Sequence, residues 1–145
     1  MLGITDPSQE YFKDGSWGWN GTTWVKLPLV FGYYDQWVED LGGVKAGAGT
    51  YEQDSGHVPA GEIWVLQLLS LANWTAVRGG VFLQLMGSVD YSSLAYHAGP
   101  AQYVPVIGRG PVVLGDGDYV KVRQLSCVNA DVISAAVWGY KMKVS

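Results

Sequence analysis

The pattern of apolar and polar positions is organised around the run from Val58 to Leu71. Pro59-Ala60-Gly61 predicts a turn, because proline fixes its own φ and glycine tolerates the φ values of a tight turn. After Glu62 the run is uncharged and apolar on both alternating faces, which is typical of a strand covered by a second sheet. Polar residues such as Gln67 interrupt it too early for a membrane span of about 20 apolar residues. We therefore predict the central strand of an antiparallel sandwich.

Other apolar runs, separated by glycine turns, predict further strands. Gly80 to Gly87 is apolar on both faces and predicts a second interior strand. Tyr33 to Leu41 predicts a strand rather than a helix, because it is aromatic and flanked by glycines. Leu125 and Cys127 continue the apolar phase one residue out of step, which predicts a β-bulge near Gln124. About nine short strands predict an all-β, antiparallel, jelly-roll-like sandwich, the shorter ones lying within 25–31, 49–51, 94–98, 102–107, 112–114 and 119–124.

Three glycine- or aspartate-containing segments predict turns in the second half of the chain. These are Gly108-Arg109-Gly110-Pro111, Asp116-Gly117-Asp118 and Asn129-Ala130-Asp131. The last predicted strand, Val132 to Val144, is unusually long. We expect it to run past the sandwich or to pair with another chain.

The N-terminal segment differs from the rest. Residues 1–15 are polar and lack periodicity, which is typical of a loose tail or of an extended arm that lies on a neighbour; the adjacent aromatic residues Tyr11 and Phe12 favour the arm, and one sandwich domain follows at 16–145. Asn20-Gly21 between tryptophans predicts a short hairpin. We interpret this hairpin as a packing wedge rather than a sugar-stacking platform, because few polar side chains lie nearby. The aromatic residues of this region are Tyr11, Phe12, Trp17, Trp19 and Trp24.

Composition favours a protein that works in an assembly. The 145 residues include 20 glycines and seven tryptophans, and only 15% are charged. Either the core is unusually aromatic or part of this apolar surface is buried against neighbouring subunits, and the second option fits a protein that works in an assembly. The net charge of −4 without a basic run argues against nucleic-acid binding through phosphates. A single cysteine excludes an intrachain disulfide, and the N-terminus does not resemble a signal peptide, so we expect synthesis in the cytoplasm.

The candidate chemical groups do not form a recognisable constellation. Cys127 would need His57 or His97 as a base, and the histidines lack the close ligand spacing of metal sites. Asp116-Gly117-Asp118 lacks the rest of a calcium loop. A glycosidase would need two converging carboxylates, and the spacing does not select a pair among Glu39, Asp40, Glu62 and Asp90. We expect no enzyme activity, no cofactor and no metal.

Three stretches carry a resemblance to a known class. They are Gly18-Trp19-Asn20-Gly21-Thr22-Thr23-Trp24-Val25-Lys26-Leu27-Pro28, Val58-Pro59-Ala60-Gly61-Glu62-Ile63-Trp64-Val65, and Leu114-Gly115-Asp116-Gly117-Asp118-Tyr119-Val120 with Trp138-Gly139-Tyr140-Lys141-Met142. Their order and spacing resemble small β-sandwich virion proteins of tailed bacteriophages and prophages, of the capsid-decoration or tail type. The resemblance spans residues 16 to 143.

The resemblance implies a non-enzymatic cementing subunit of the virion, assembled in the host cytoplasm. It implies a symmetric oligomer, a trimer, that binds the major capsid protein or other virion proteins through strand addition and apolar contact. The competing hypothesis is a carbohydrate- or receptor-binding module of a tail or tail fibre, with a host glycan as partner. Neither implies nucleic acid or membrane. The expected partner-binding residues are Tyr11, Phe12, Trp17, Trp19, Trp24, Tyr34 and Trp37.

Overall fold

A computed structural model describes residues 17–19, 22, 24–26, 33–87 and 92–143, with 17–19, 24–26 and 33–34 described by their backbone. This part of the chain contains β-strands and no helix, which confirms the all-β prediction. The strands are β1 (Trp17–Trp19), β2 (Trp24–Lys26), β3 (Tyr33–Asp40), β4 (Gly43–Val44), β5 (Gly49–Asp54), β6 (Glu62–Asn73), β7 (Val81–Met86), β8 (Ser92–His97), β9 (Val106–Leu114), β10 (Tyr119–Cys127) and β11 (Val132–Lys143).

The long strands form two antiparallel sheets. One has the order β3-β11-β6-β9, with β4 also paired to β11, and the other has the order β5-β10-β7-β8. A single core cluster contains residues of both sheets, so the sheets pack face to face as a β-sandwich. Strand β6 lies between β11 and β9, which confirms the predicted central strand.

The core is filled by the inward phase of the central strands. Leu66, Leu69 and Leu71 of β6 are fully buried, and Val120 and Val122 of β10 face them from the other sheet. Complete burial of one such side chain stabilises the fold by about 1.5–3 kcal/mol. The burial of these side chains, rather than the sequence pattern alone, shows which face of each central strand points inward.

The predicted turn at Gly108-Arg109-Gly110-Pro111 is wrong, because these residues lie inside β9. Strand β9 forms one edge of its sheet, where proline is tolerated since its missing N–H need not complete a ladder. The register between β6 and β9 shifts at this point. A Cβ at Gly110 would overlap the carbonyl oxygen of Leu66, so the glycine permits a close approach between the two strands. The glycines and proline therefore mark a bulge, not a turn.

One predicted bulge and two predicted turns are confirmed. The register between β10 and β5 shifts between Gln124 and Cys127, which is the predicted bulge. Gly117 has φ +81° in the predicted turn between β9 and β10, and Ala130 has φ +70° in the turn before β11. A residue with left-handed φ interrupts a strand, so these turns determine where the chain passes from one sheet to the other.

The final strand does not extend away from the sandwich. Strand β11 pairs with β6 from Ile133 to Lys143 and with β3 from Ala136 to Met142. The prediction that this strand runs past the sandwich or pairs with another chain is therefore wrong. Strand β11 is long because it pairs along its length with neighbours inside the five-stranded sheet.

The predicted N-terminal hairpin is confirmed, since β1 and β2 pair antiparallel. The last pair joins Trp19 to Trp24. The predicted arm at residues 1–15 lies outside the described residues.

Candidate interaction surfaces

The solvent side of the five-stranded sheet is mostly apolar. Cross-strand pairing places Val38, Trp138, Leu68 and Arg109 in one row across β3, β11, β6 and β9. The adjacent row contains Asp40, Ala136, Ser70 and Ile107. Core residues precede or follow each of these positions except Arg109 along the chain, and successive side chains of a strand point to opposite faces. We call these two rows the outer face: Val38, Asp40, Leu68, Ser70, Ile107, Arg109, Ala136 and Trp138.

Trp138 is the centre of the outer face. Its side chain is 59% exposed and lies between Val38, also exposed, and Leu68, which is half-buried. Ile107 adds exposed apolar surface in the next row. The two charged positions of the outer face, Asp40 and Arg109, lie on the two edge strands. A contiguous apolar surface with charge at its edges is typical of a protein–protein contact.

The solvent side of the four-stranded sheet has a different character. Glu52 accepts a hydrogen bond from Lys121 at 2.8 Å and forms an ion pair with Arg123 at 3.1 Å. The Arg123 guanidinium also lies 5.8 Å from the Phe82 ring centroid, and that ring packs against Tyr96. Opposite charges are therefore paired along this face, as is typical of a solvated sheet surface.

Trp37 is a core residue in this fold. It is 1% exposed, its ring lies 5.0 Å from that of Trp64, and its indole N–H donates to Glu39 at 2.7 Å. Its position on the inward phase of β3 explains the burial. This placement replaces the contact role that we expected for Trp37 with a structural one.

The remaining predicted contact residues fall on the least described part of the chain. Trp17 and Trp19 lie on β1, Trp24 on β2 and Tyr34 on β3, each placed by its backbone. Tyr11 and Phe12 lie outside the described residues. Their contact role stays a prediction.

Sequence reasoning missed Trp138. The alternation along the last strand places Val132, Ala136 and Trp138 on one face, but both faces of that strand are apolar. The buried neighbours Ile133 and Val137 identify the inward phase. Knowing which phase faces the core required the pairing partners of the strand, which the sequence pattern does not supply.

A second exposed aromatic group lies at one end of the sandwich. Trp74 is 53% exposed and Tyr103 is 59% exposed, and their rings meet edge to face at 87° with centroids 5.5 Å apart. Tyr103 has φ +66°, an uncommon value for a residue with a side chain. The Tyr103 N–H donates to the carbonyl of Asn73 at 2.9 Å, which joins the loop of Tyr103 to the end of β6. We call Trp74 and Tyr103 the aromatic pair.

A buried polar network supports the aromatic pair. Asp131 is fully buried and accepts two hydrogen bonds from the Arg78 guanidinium at 2.7 and 2.8 Å. Asn73 donates to Gln124 at 3.1 Å, and its side-chain oxygen accepts the backbone N–H groups of Thr75 and Ala76. Hydrogen bonds from Arg78 hold the pKa of Asp131 down at about 2, against the effect of burial. The network thus fixes the loop that carries Trp74.

The candidate catalytic groups have structural roles. Cys127 is buried, and burial raises the pKa of its thiol. Glu39 accepts the Trp37 indole N–H and the Gly56 backbone N–H, and Glu62 accepts the Trp64 indole N–H at 2.6 Å. Asp40 accepts the backbone N–H of Gly42, whereas Asp90 lies outside the described residues.

The described ranges contain neither a cluster of metal-ligating side chains nor a helix of membrane-spanning length. Among residues 33–87 and 92–143, no three histidine, cysteine, aspartate or glutamate side chains converge as a metal site. No helix in the part of the chain that the structure describes is long and apolar enough to cross a membrane.

The fold and the surfaces together define an all-β protein of two packed antiparallel sheets, with exposed aromatic side chains on the solvent sides of both sheets and at one end. Comparison with known proteins adds no relative: no family model, no curated protein and no solved structure matches this chain.

Proposed function

We propose that this chain is a non-enzymatic structural subunit of a tailed-phage virion, a decoration or cementing protein that binds the capsid lattice as a symmetric oligomer. The observation that carries the proposal is the outer face, where Trp138 and its apolar neighbours are exposed on a regular, rigid sheet. Such a surface is costly to leave in water and is suited to repeated contacts with other subunits.

The strand order supports a jelly roll within the sandwich. The eight long strands, counted in chain order, are β3 and β5 to β11. The first of these strands pairs with the last, the second with the seventh, the third with the sixth and the fourth with the fifth. The pairs are β3 with β11, β5 with β10, β6 with β9 and β7 with β8. A long hairpin folded over into two sheets gives this order, and eight-stranded jelly rolls occur in viral capsid and lectin domains. The fold thus favours both functions considered from the sequence and does not by itself separate them.

Co-sedimentation tests the cementing function. The full-length chain is mixed with empty tailed-phage capsids and pelleted, and we expect saturable binding with a fixed number of copies per capsid. Trp138→Lys places a charge on the outer face and is expected to reduce binding. Tyr96→Lys is the matched control, because Tyr96 is 57% exposed on the solvent side of the other sheet. A chain that stays in the supernatant at every concentration would refute the proposal.

The aromatic pair favours a second candidate function, carbohydrate binding by a tail-associated module. An indole face stacks on the apolar face of a sugar ring, and Tyr and Trp each add a polar group for hydroxyls. The pair is held on a rigid network, which reduces the entropy lost on binding.

Tryptophan fluorescence titrated with cell-wall polysaccharide tests this second candidate. A saturable change that Trp74→Ala removes and Trp138→Ala retains would support it. A flat titration, together with capsid co-sedimentation, would leave cementing as the function.

A further inference from the structure

We propose that the outer face binds the outer face of a second copy of this chain across a two-fold axis. The inference rests on the proposed function in that it names the partner of the same surface, but self-association can be measured without any capsid. Three features carry it: the positions of the two charges, the uncharged middle strands and the order of the strands.

The charges of the outer face lie at opposite edges. Asp40 is on β3 and Arg109 is on β9, which are the two ends of the order β3-β11-β6-β9. Both side chains are exposed. With strands spaced about 4.8 Å apart, the two edges are separated by about 14 Å. Each edge of the outer face therefore carries one sign of charge.

A two-fold axis parallel to the strands makes this arrangement self-complementary. The rotation places β3 of one copy over β9 of the other and keeps the position along the strands. Asp40 and Arg109 are in adjacent rows, so each aspartate comes within about 7 Å of an arginine along the strand direction. The long Arg side chain can span this offset. Because a two-fold contact occurs twice, both charge pairs form in the same dimer.

The same rotation brings apolar groups together in the middle. Strand β11 of one copy lies over β6 of the other, which places the Trp138 indole over Leu68 of the second copy. Ala136 and Ser70 of the second row are small and uncharged and allow the sheets to approach to the usual packing distance of about 10 Å. A different protein partner would need no such symmetry between the edges, so the second copy explains the charge positions better.

Two opposite charge reversals test the pairing. Asp40→Lys and Arg109→Glu each place like charges together twice in a homodimer, and each is expected to weaken dimerisation roughly tenfold or more in sedimentation velocity. An equimolar mixture restores both pairs in the heterodimer, because the introduced lysine of one variant then faces the introduced glutamate of the other while the native pair is kept. The mixture is therefore expected to dimerise with an affinity close to that of the native chain.

Folding controls keep the test clear. The Asp40 carboxylate accepts the Gly42 N–H at 2.8 Å, so Asp40→Asn keeps an acceptor while removing the charge and is expected to weaken dimerisation less than the reversal. Thermal melts of each variant verify that the sandwich is intact. A native monomer, a native trimer, or a mixture no tighter than the single variants would each overturn the inference.

The two proposals fail differently. A native dimer that does not sediment with capsids would retain the two-fold pairing and refute the cementing function. A native monomer that sediments with capsids would refute the two-fold pairing and retain capsid binding.

Discussion

Removing the charge of Asp131 should destabilise the fold much more than removing a comparable surface charge. Asp131→Asn keeps the shape of the side chain but replaces the carboxylate that accepts hydrogen bonds from Nε and Nη2 of Arg78. The fully buried carboxyl also accepts the backbone N–H of Val128 at 3.0 Å. The variant leaves the Arg78 guanidinium beside a neutral amide, so the loops before β7 and β11 lose the charged contact that joins them.

The expected loss of folding stability follows from the pKa of the Asp131 carboxyl. Arg78 is the main cause that lowers the pKa of Asp131 from 3.8 to about 2. At about 1.4 kcal/mol per pKa unit, the native environment favours the ionised form by about 2 kcal/mol. Because the folded pKa is lowered, this stability is present above about pH 4 and is lost as the pH falls through about 2. Loss of one partner of a buried ion pair costs about 3–5 kcal/mol, and the partial exposure of Arg78 places the expected loss near 2–3 kcal/mol.

Urea denaturation measures the effect at pH 7 and at pH 3. We expect Asp131→Asn to lower the free energy of unfolding by about 2–3 kcal/mol at pH 7 and by less at pH 3. Glu52→Gln is the control, because Glu52 pairs with Lys121 and Arg123 on an exposed face and should cost at most about 1 kcal/mol. Equal losses in the two variants, or a loss from Asp131→Asn that does not change with pH, would refute the reasoning.

Three further predictions concern close packing. Gly139→Ala should cost about 1–3 kcal/mol in urea denaturation, because the added Cβ would overlap the carbonyl oxygen of Val65; no loss would contradict this contact. Trp37→Ala should cost about 3–5 kcal/mol, whereas Trp138→Ala should change monomer stability by less than about 0.5 kcal/mol. Cys127 should react with a thiol reagent at the rate of unfolding, since burial limits access and raises its pKa; a fast reaction in the native state would contradict this.

Local patterns predicted the strands well where a strand is buried on at least one face. The central strand and the interior strand at Val81–Met86 follow from runs that are apolar on both faces, and the bulge after Gln124 follows from an interrupted period-2 alternation. Gly117 was recognisable because left-handed backbone favours glycine, and the turn before β11 because Asn129 and Asp131 are common turn residues, although the left-handed residue there is Ala130.

The sequence misled at Gly108–Pro111 because the same residues serve turns and bulges. Glycine and proline interrupt a ladder in either case, and the difference lies in whether the chain continues beside the same neighbour. Here it does, since β9 pairs with β6 on both sides of the shift, from Val106 to Leu114. Pairing between strands about 45 residues apart decides this, and a window of a few residues does not contain that information.

The burial of the tryptophans likewise depends on pairing between distant strands rather than on the local sequence. Trp37 on β3 and Trp138 on β11 lie in adjacent rows of the same strand pair. Trp37 is nevertheless 1% exposed, whereas Trp138 is 59% exposed. Adjacent rows of the pairing β3–β11 join Trp37 to Gly139 and Val38 to Trp138, so the glycine provides the space that lets Trp37 enter the core while Trp138 points outward. A larger residue at position 139 would press on the Trp37 ring from within the sandwich. The exposure of Trp138 is thus a consequence of how β11 packs its inward phase, and a partner that covers the outer face need not disturb the core.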